Sequence, residues 1–253
     1  MTATKPTQRM PESLNPGTIG LFLDVDGTLL DIAPRPEAVE VSAGLLDDLA
    51  AVERVLGGAL ALVSGRPIAE LDRLFTPLRL AASGVHGAEM RRRPEGLVAS
   101  LAPGRLGDDA WSALCRLLGD FPGSFAENKE VSFAVHYPDP GTNISRLKRA
   151  LTGLMERIAR PGKPLRLLAG RAVFELQLRG FDKGRAIERF MTEEPFCGRR
   201  PIFIGDDEID RAGFDAALAL GGLAYSVGVE FPGLSGAFAG PDTVRAWLHG
   251  LCR

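Results

Sequence analysis

Cysteine is scarce in this sequence, and long hydrophobic runs are missing from it. Only three of the 253 residues are cysteines, and they lie far apart without metal-ligand or redox spacing. This favours a reducing compartment in which the cysteines are packing residues. No run approaches the ~18 apolar residues of a transmembrane helix, and residues 1–17 lack the apolar core of a signal peptide. We therefore expect a soluble, cytoplasmic protein.

An excess of charge of either sign is also lacking. The formal net charge is −2, which does not indicate binding to nucleic acid or to an anionic membrane. A composition of 45% hydrophobic and 25% charged residues is that of an ordinary globular protein. The sequence has no internal repeat, and its length is sufficient for two domains. We expect a monomer that acts on a small molecule.

The stretch from Ile19 to Leu29 is an apolar run that ends in two acids. The run predicts a buried strand, and Asp24 and Asp26 follow it with one residue between them. Gly27 then permits a tight backbone path. An Asp-Gly turn after a strand is the simpler interpretation. However, open α/β sheets bind ligands at the carboxyl ends of their strands, and other strand ends in this chain also carry polar groups.

Strand and helix patterns alternate after this stretch. Ser42 predicts the N-cap of a helix, and an apolar run at 59–63 predicts a strand that ends at Ser64. Pro67 suits the first position of a second helix, and 80–83 predicts a third strand. This order predicts a parallel sheet with helices on both faces.

The pattern changes after residue 90. We interpret Arg91 to Gly96 as an exposed turn rather than an anion site. The elements predicted next are a helix near 108–118, an alternating strand at 131–137, a helix at 144–158 and a hairpin over 165–178. This order is typical of an α+β module with antiparallel pairing. It predicts an inserted second domain at 103–178.

The first pattern then resumes. Asp182 and Lys183 open a helix, and a buried strand at 201–204 ends at Asp206 and Asp207. A further strand at 223–227 and a final amphipathic helix complete this part of the chain.

Three strand ends therefore deliver polar groups to one edge of the predicted sheet. They carry Asp24 with Asp26, Ser64, and Asp206 with Asp207. Four carboxylates cannot all be ionised in a partly dry cleft without a counter-charge. Mg²⁺ supplies that charge, because it prefers oxygen ligands and few carboxylates. A phosphate group would complete its ligand shell.

The remaining polar groups suit a phosphate. The Ser64 hydroxyl and the amides at the helix start near Pro67 can hold phosphate oxygens, and Lys183 supplies a positive charge. Phosphoryl transfer then needs an in-line nucleophile, and Asp24 can be that group, giving an aspartyl-phosphate. Asp26 can donate a proton to the leaving oxygen and later take one from water.

These residues carry a family resemblance. The motifs of the haloacid dehalogenase-like phosphatases are matched, in order, by residues 24–28, Ser64, Lys183 and 205–207. The chain further resembles the trehalose-6-phosphate phosphatase family in the stretches 64–66, 84–89, 127–129, 133–137 and 181–184. The resemblance runs from about Leu21 to the C-terminus.

The resemblance implies a fold and a reaction. The fold is α/β, with a Rossmann-like haloacid dehalogenase core at 18–102 and 179–253, an inserted α+β cap at 103–178 and a flexible tail at 1–17. The implied reaction is Mg²⁺-dependent hydrolysis of trehalose 6-phosphate to trehalose. A functional link to a trehalose-6-phosphate synthase is implied as well.

The resemblance also implies the roles of individual residues. Mg²⁺ would be held by the Asp24 carboxylate, the Asp26 backbone carbonyl and Asp206, with Asp207 and Asp210 in support. In the cap, Glu127, Lys129 and Glu175 would hydrogen-bond sugar hydroxyls, contacts that discriminate strongly between substrates. The other residues expected to contact the substrate are Arg66, His86, Gly87 and His136.

Three positions depart from the family pattern. Ile209 replaces a threonine and Arg211 a glutamate, whereas Asp210 is kept; Pro138 replaces a cap arginine. The loss of that arginine keeps related sugar phosphates, such as sucrose phosphate or a glucosylglycerate phosphate, open as substrates. A receiver-type phospho-acceptor or an inactive partner of a trehalose synthase is a further alternative. Asp26, the insertion and the complete core motifs argue against both.

Overall fold

Two units make up the chain in this computed structural model, which describes residues 15–32, 39–102, 104–137, 143–160, 164–170 and 172–252. The first unit comprises Met1–Ser100 and Asp182–Arg253, and the second comprises Leu101–Phe181. The insertion predicted at 103–178 falls within the second unit. Most of the predicted tail, and Pro138, lie outside the described residues.

The described strands and helices follow one another in the order expected of an α/β chain with an insertion. In chain order they are β1 (Ile19–Leu23), α1 (Ala43–Val55), β2 (Leu60–Val63), α2 (Ile68–Leu74), β3 (Ala81–Gly84), β4 (Glu89–Arg91), β5 (Ala99–Ser100), α3 (Asp108–Leu118), β6 (Phe125–Asn128), β7 (Ser132–His136), α4 (Ile144–Ile158), β8 (Leu165–Gly170), β9 (Val173–Leu178), α5 (Lys183–Phe190), β10 (Arg200–Gly205), α6 (Arg211–Ala219), β11 (Leu223–Val227), β12 (Gly236–Phe238) and α7 (Pro241–Leu251). None of the helices in the described part of the chain has the length and apolar character needed to cross a membrane.

The first unit is built on an eight-stranded sheet in the order β12-β11-β10-β1-β2-β3-β4-β5. The strands from β12 to β3 pair in parallel, and β4 and β5 add an antiparallel edge. Strand β1 lies between β10 and β2, and its last residue, Leu23, pairs with Ile204 and Leu62. Apolar side chains fill β1 and β2 because parallel strands are buried on both faces. The predicted α/β fold with a mainly parallel sheet is confirmed.

Polar caps begin two of the helices that support this sheet, as the sequence predicts for Ser42. The Ser42 hydroxyl accepts the Leu45 backbone N–H at 3.3 Å and starts α1. The Asp182 carboxylate accepts the Arg185 N–H at 2.8 Å and starts α5. Each cap satisfies a backbone donor that the helix itself leaves unpaired. Lys183 is thereby fixed at the first position of α5.

The second unit is an antiparallel sheet in the order β6-β7-β9-β8, with α3 and α4 on one face. The buried residues between sheet and helices come from alternate strand positions and from helix stripes: Leu114, Phe133, Val135, Leu147, Leu151, Leu154, Phe174 and Leu176. The intervening positions form the opposite face of the sheet. That face, which we call the polar face, carries Glu127, Ser132, His136, Arg166, Glu175 and Gln177.

The prediction of an exposed turn at 91–96 is wrong at Arg91. It ends β4 and is only 1% exposed. Its Nε and Nη2 donate to the Leu80 carbonyl at 3.0 and 2.8 Å, and its Nη1 donates to Asp72 at 2.6 Å. The guanidinium is satisfied inside the protein because a backbone carbonyl and a carboxylate face it there. A run of three arginines gives no indication of which one has such partners.

The cysteines and five elements also differ from expectation. Cys115 and Cys197 are exposed and Cys252 is only partly covered, so they are not the packing residues predicted above. Strands β4, β5, β6 and β12 and helix α6 were not predicted. These strands have only two to four residues, too few for a periodic pattern to be recognised.

Candidate active site

Asp24 and Lys183 form a buried ion pair at the carboxyl end of β1. Both residues are 4% exposed. Lys183 Nζ donates to Asp24 Oδ1 at 2.6 Å, and the Thr28 hydroxyl donates to Oδ2 at 3.3 Å. The pair joins residues 159 positions apart, because α5 begins beside the strand end that carries Asp24. The sequence predicted both residues, and a local hydrogen bond from Thr28, which the structure directs to Asp24.

Lys183 also donates to Asp210, which organises the loop after β10. The other Asp210 oxygen accepts the backbone N–H groups of Asp206 and Asp207 at 2.9 and 3.1 Å. Burial alone would lower the pKa of Lys183, but the charges of Asp210 and Asp24 raise it above its usual value. The lysine therefore stays protonated. Asp210 has the supporting position that the resemblance implies.

Asp206 approaches the turn at Gly27 very closely. Gly27 has a φ of +82°, and a Cβ atom there would overlap the Asp206 carboxylate. Glycine satisfies both requirements, because it tolerates positive φ and lacks the atom that would clash. Burial, followed by the charge of Asp210, raises the pKa of Asp206 to about 7. The Gly27 turn and the loop after β10 thus bring a carboxylate close to Asp24.

The carboxylates of this cluster fit a divalent cation. Asp24, Asp206 and Asp210 each offer one oxygen, and these oxygens lie within 4.8 Å of one another. Burial raises the pKa of Asp24; Lys183 opposes the shift, whereas Asp210 and Asp206 add to it. One lysine therefore faces three carboxylates. Because Asp210 is already bound by Lys183 and two backbone N–H groups, Asp24 and Asp206 are better placed to hold a cation.

Arg66 binds Asp26 with two parallel hydrogen bonds. Its Nε and Nη2 donate to the two Asp26 carboxylate oxygens, each at 2.7 Å. The buried Ser64 hydroxyl accepts the Arg66 backbone N–H at 3.1 Å. Ser64 thus anchors the backbone of the residue that holds Asp26. Arg66 was predicted to contact the substrate, and in the structure its guanidinium contacts Asp26.

His86 and Gly87 form a strained turn beside Ser64. The backbone of His86 is left-handed, with φ 52°, and its N–H donates to the Ser64 carbonyl at 2.9 Å. A Cβ at Gly65 would lie 2.6 Å from the His86 ring, and one at Gly87 would lie 2.7 Å from the Asp182 carbonyl. The turn therefore packs against both the loop after β2 and the start of α5. Such strain persists only where surrounding structure enforces it.

Glu89 occupies the helix start that sequence analysis assigned to a phosphate. Its Oε2 accepts the Ile68 backbone N–H at 2.8 Å at the beginning of α2. That amide therefore already has a carboxylate acceptor. The prediction that the amides near Pro67 hold phosphate is not supported at this position, and Glu89 was missed although it ends one of the matched stretches.

The polar face of the second unit brings Glu127, His136 and Glu175 together. Glu127 and Glu175 both flank Ala134, which pairs with each of them across the sheet. Glu127 Oε2 lies 3.6 Å from His136 Nε2, and the interaction with His136 lowers the pKa of Glu127. The Ser132 hydroxyl donates to the buried Glu175 carboxylate at 2.6 Å. This face can therefore accept hydrogen bonds from hydroxyl groups.

Lys129 lies directly after β6. Its backbone N–H donates to the Ser132 carbonyl at 3.0 Å, which fixes the turn between β6 and β7. Every residue predicted for substrate binding is thus described in the structure, with Arg66, His86 and Gly87 in the first unit and Glu127, Lys129, His136 and Glu175 in the second.

Known proteins share these motifs and this fold. The family model for trehalose-phosphatase matches residues 22–231. The chain belongs to the trehalose-phosphatase family. A trehalose-6-phosphate phosphatase from Escherichia coli (strain K12) is 37% identical over 228 residues, which are 90% of this chain and 84% of that protein. A probable trehalose-phosphate phosphatase from Sinorhizobium fredii (strain NBRC 101917 / NGR234) is 38% identical over 216 residues, or 84% and 78% of the two chains.

A solved structure extends the similarity to the whole fold. The C-terminal domain of a C. albicans trehalose-6-phosphate phosphatase matches with a TM-score of 0.83 and 19% identity, over 100% of this chain and 99% of that one. Identity this low shows the fold alone. The predicted membership in the trehalose-phosphatase family and the haloacid dehalogenase-like fold are both confirmed.

Two of the family departures lie between the end of β10 and the first residue of α6. Arg211 forms an ion pair with Glu208 at 3.2 Å and its side chain is 41% exposed. Asp210, between the two replaced positions, keeps its contact with Lys183. The replacements at Ile209 and Arg211 thus leave the carboxylate cluster of this trehalose-phosphatase family member in place.

Proposed function

We propose that this protein is a Mg²⁺-dependent phosphatase that hydrolyses trehalose 6-phosphate to trehalose and phosphate. The observation that carries the proposal is the buried contact between Asp24 and Lys183 beside Asp206. This contact unites three separate sequence motifs around a carboxylate that can act as a nucleophile. Membership in the trehalose-phosphatase family supports the choice of substrate.

Asp24 is the proposed nucleophile. Its carboxylate oxygen forms a bond to phosphorus while the bond from phosphorus to the sugar oxygen breaks, which gives an aspartyl-phosphate. Lys183 orients the attacking carboxylate and offsets the charge of the phosphate. Water then attacks phosphorus, the bond to Asp24 breaks, and phosphate is released.

Asp26 is the proposed acid and base. It gives its proton to the leaving sugar oxygen and later takes a proton from the attacking water. Arg66 donates to both Asp26 oxygens and so holds this carboxyl group in position for the two proton transfers.

Asp24 and Asp206, with the backbone carbonyl of Asp26, are the proposed ligands of Mg²⁺. The ion supplies positive charge that neutralises the phosphate oxygens. Removal of metal by EDTA should abolish phosphate release, and added Mg²⁺ should restore it. Activity that persists in EDTA would contradict the metal assignment.

The second unit is proposed to recognise the sugar. The core residues face phosphate and cannot by themselves distinguish one sugar from another. Glu127, Glu175 and Lys129 can bind hydroxyl groups, and His136 holds Glu127 in its ionised form.

A substrate panel tests this proposal against its nearest alternative. Phosphate release should be measured with trehalose 6-phosphate, sucrose phosphate, a glucosylglycerate phosphate and glucose 6-phosphate, each with and without EDTA. We expect the highest kcat/KM for trehalose 6-phosphate. A higher value for another sugar phosphate would reassign the substrate, and no turnover of any of them would favour a regulatory role.

A further inference from the structure

Gln177 has a buried side-chain amide whose oxygen accepts a hydrogen bond from within the described residues, whereas its nitrogen donates to none of them. The residue lies on β9 and is 0% exposed. Its Oε1 accepts the Arg166 Nε–H at 3.0 Å. Among the residues that the structure describes, no acceptor lies within hydrogen-bond reach of its Nε2. Burying a donor without an acceptor is unfavourable, so a purely structural role does not explain a glutamine here.

The contact with Arg166 fixes the orientation of this amide. A guanidinium group has only N–H donors, so the end of the amide that faces it must be the oxygen. Rotating the amide would place donor against donor. The Nε2 group is therefore held as a donor, and an apolar residue of similar length would fill the space without burying one.

The neighbours of Gln177 indicate what that donor is for. Glu175 lies two residues earlier on the same face, about 7 Å away along the strand. Ser132 pairs with Gln177 across the sheet and donates to Glu175 at 2.6 Å. A carboxylate acceptor and an amide donor thus lie side by side on the polar face. Each sugar hydroxyl both donates and accepts, so such a pair suits a sugar.

We propose that Gln177 Nε2 donates a hydrogen bond to a hydroxyl oxygen of the substrate's sugar, and that Gln177 is a specificity-determining residue beside Glu175. The inference rests on the proposed function, because it takes a sugar phosphate as the substrate. It adds a donor to a set of cap residues in which Glu127 and Glu175 act as acceptors. The strand that carries Gln177 leads directly into the α5 start, with Gln177 six positions before Lys183.

Two substitutions separate the donor from the rest of the side chain. Gln177→Met keeps the length and removes both polar atoms, whereas Gln177→Glu keeps an acceptor for Arg166 and removes the N–H groups. We expect each to lower kcat/KM for trehalose 6-phosphate on the order of 10-fold, with p-nitrophenyl phosphate changed less than about twofold. Thr152→Val on α4, which packs on the other face of the sheet, is the matched control and should change neither.

Deoxy analogues of trehalose 6-phosphate identify the partner hydroxyl. Removing that hydroxyl should cost the wild type about as much as Gln177→Met does, and should cost Gln177→Met nothing further. Unchanged kcat/KM in Gln177→Met, or an equal loss on trehalose 6-phosphate and p-nitrophenyl phosphate, would overturn the inference about Gln177 and leave the proposed function standing. Failure of the wild type to hydrolyse trehalose 6-phosphate would overturn the proposed function, and this inference with it.

Discussion

Asp24 has more specific contacts than a structural carboxylate at a strand end would need. Lys183 binds one of its oxygens and Thr28 the other, and Asp206 lies close by. Buried charges are costly unless they are paired and hydrogen-bonded. Lys183 therefore offsets part of the cost of burying this carboxylate.

Replacement of this carboxylate should remove catalysis and spare the fold. In Asp24→Asn the side-chain oxygen can still accept from Lys183, but an amide is a poor nucleophile. We expect phosphate release to fall by on the order of 10⁴-fold, with an unchanged circular dichroism spectrum. Asp31→Asn, at an exposed carboxylate of the same loop, should retain near-normal activity. Substantial activity of Asp24→Asn would mean that another group attacks phosphorus.

Arg66→Lys distinguishes a role on Asp26 from a role on the substrate. A lysine ammonium cannot reproduce the two parallel hydrogen bonds of the guanidinium. If Arg66 acts through Asp26, kcat should fall on the order of 10-fold with both trehalose 6-phosphate and p-nitrophenyl phosphate. A rise in KM for the sugar phosphate alone would instead indicate that Arg66 contacts the substrate, as the sequence predicted.

At the scale of whole elements, the sequence predicts the sheet better than its edges. Strand β1 and helix α4 have long, strong patterns, and both appear where they were predicted. Strand β6 has four residues and no clear alternation of apolar side chains, and its pairing with β7 depends on partners five to eleven positions away. Pairing of that kind is a tertiary effect that a local pattern does not contain.

The same limit applies to individual site residues. Asp24 and Asp206 were predictable because motif and strand end coincide, and Lys183 because its motif opens a helix. Glu89 and Gln177 were not, since their roles depend on a backbone N–H and a guanidinium brought to them by other elements. The positions of both residues relative to their partners are set by the folded structure, which a local sequence pattern does not contain.

The polar face should control the choice of substrate rather than the chemistry. Glu175→Ala or Glu127→Ala should lower kcat/KM for trehalose 6-phosphate by on the order of 10²-fold, or about 2.7 kcal/mol of transition-state binding. Hydrolysis of p-nitrophenyl phosphate, which has no sugar to bind, should change far less. An equal loss on both substrates would indicate that these residues support the fold or the core chemistry.

The pair of Glu127 and His136 predicts a pH dependence of stability. The interaction with His136, 3.6 Å away, lowers the pKa of Glu127 below its ordinary value of about 4.3. A carboxylate with a lowered folded-state pKa stabilises the fold above the unfolded-state pKa, and this contribution disappears as pH falls through the lowered value. Wild type should therefore exceed Glu127→Gln in thermal stability near neutral pH. The difference should begin to shrink near pH 4.3 and vanish only below the lowered folded-state pKa; a difference that persists in stronger acid would exclude this origin.

At the scale of the whole molecule, the carboxylate cluster joins distant parts of the chain. Asp24 follows the first strand of the sheet, whereas Asp206 and Asp210 lie in the loop after β10. A cation bound by both parts must hold them together. Its binding is therefore linked to the stability of the entire first unit.

Mg²⁺ should raise the thermal stability of the protein in the absence of substrate. At 100 times its Kd a ligand of the folded state contributes about 2.7 kcal/mol, which corresponds to roughly 5–10 °C at this chain length. Differential scanning fluorimetry with and without Mg²⁺ measures the shift. Asp206→Asn should lose it, and Asp31→Asn should keep it. Equal shifts in both variants would place the cation elsewhere.

The position of β1 in the sheet has a consequence for synthesis on the ribosome. One edge of β1 pairs with β2, which follows soon afterwards, but the other edge pairs with β10 at Arg200–Gly205. While the chain emerges from its N-terminus, that edge stays open until the whole second unit has been made, and an open strand edge is prone to wrong pairing. Lys183, Asp206 and Asp210 also arrive only then. The nascent chain thus carries its proposed nucleophile, Asp24, long before it carries the groups that would make it reactive.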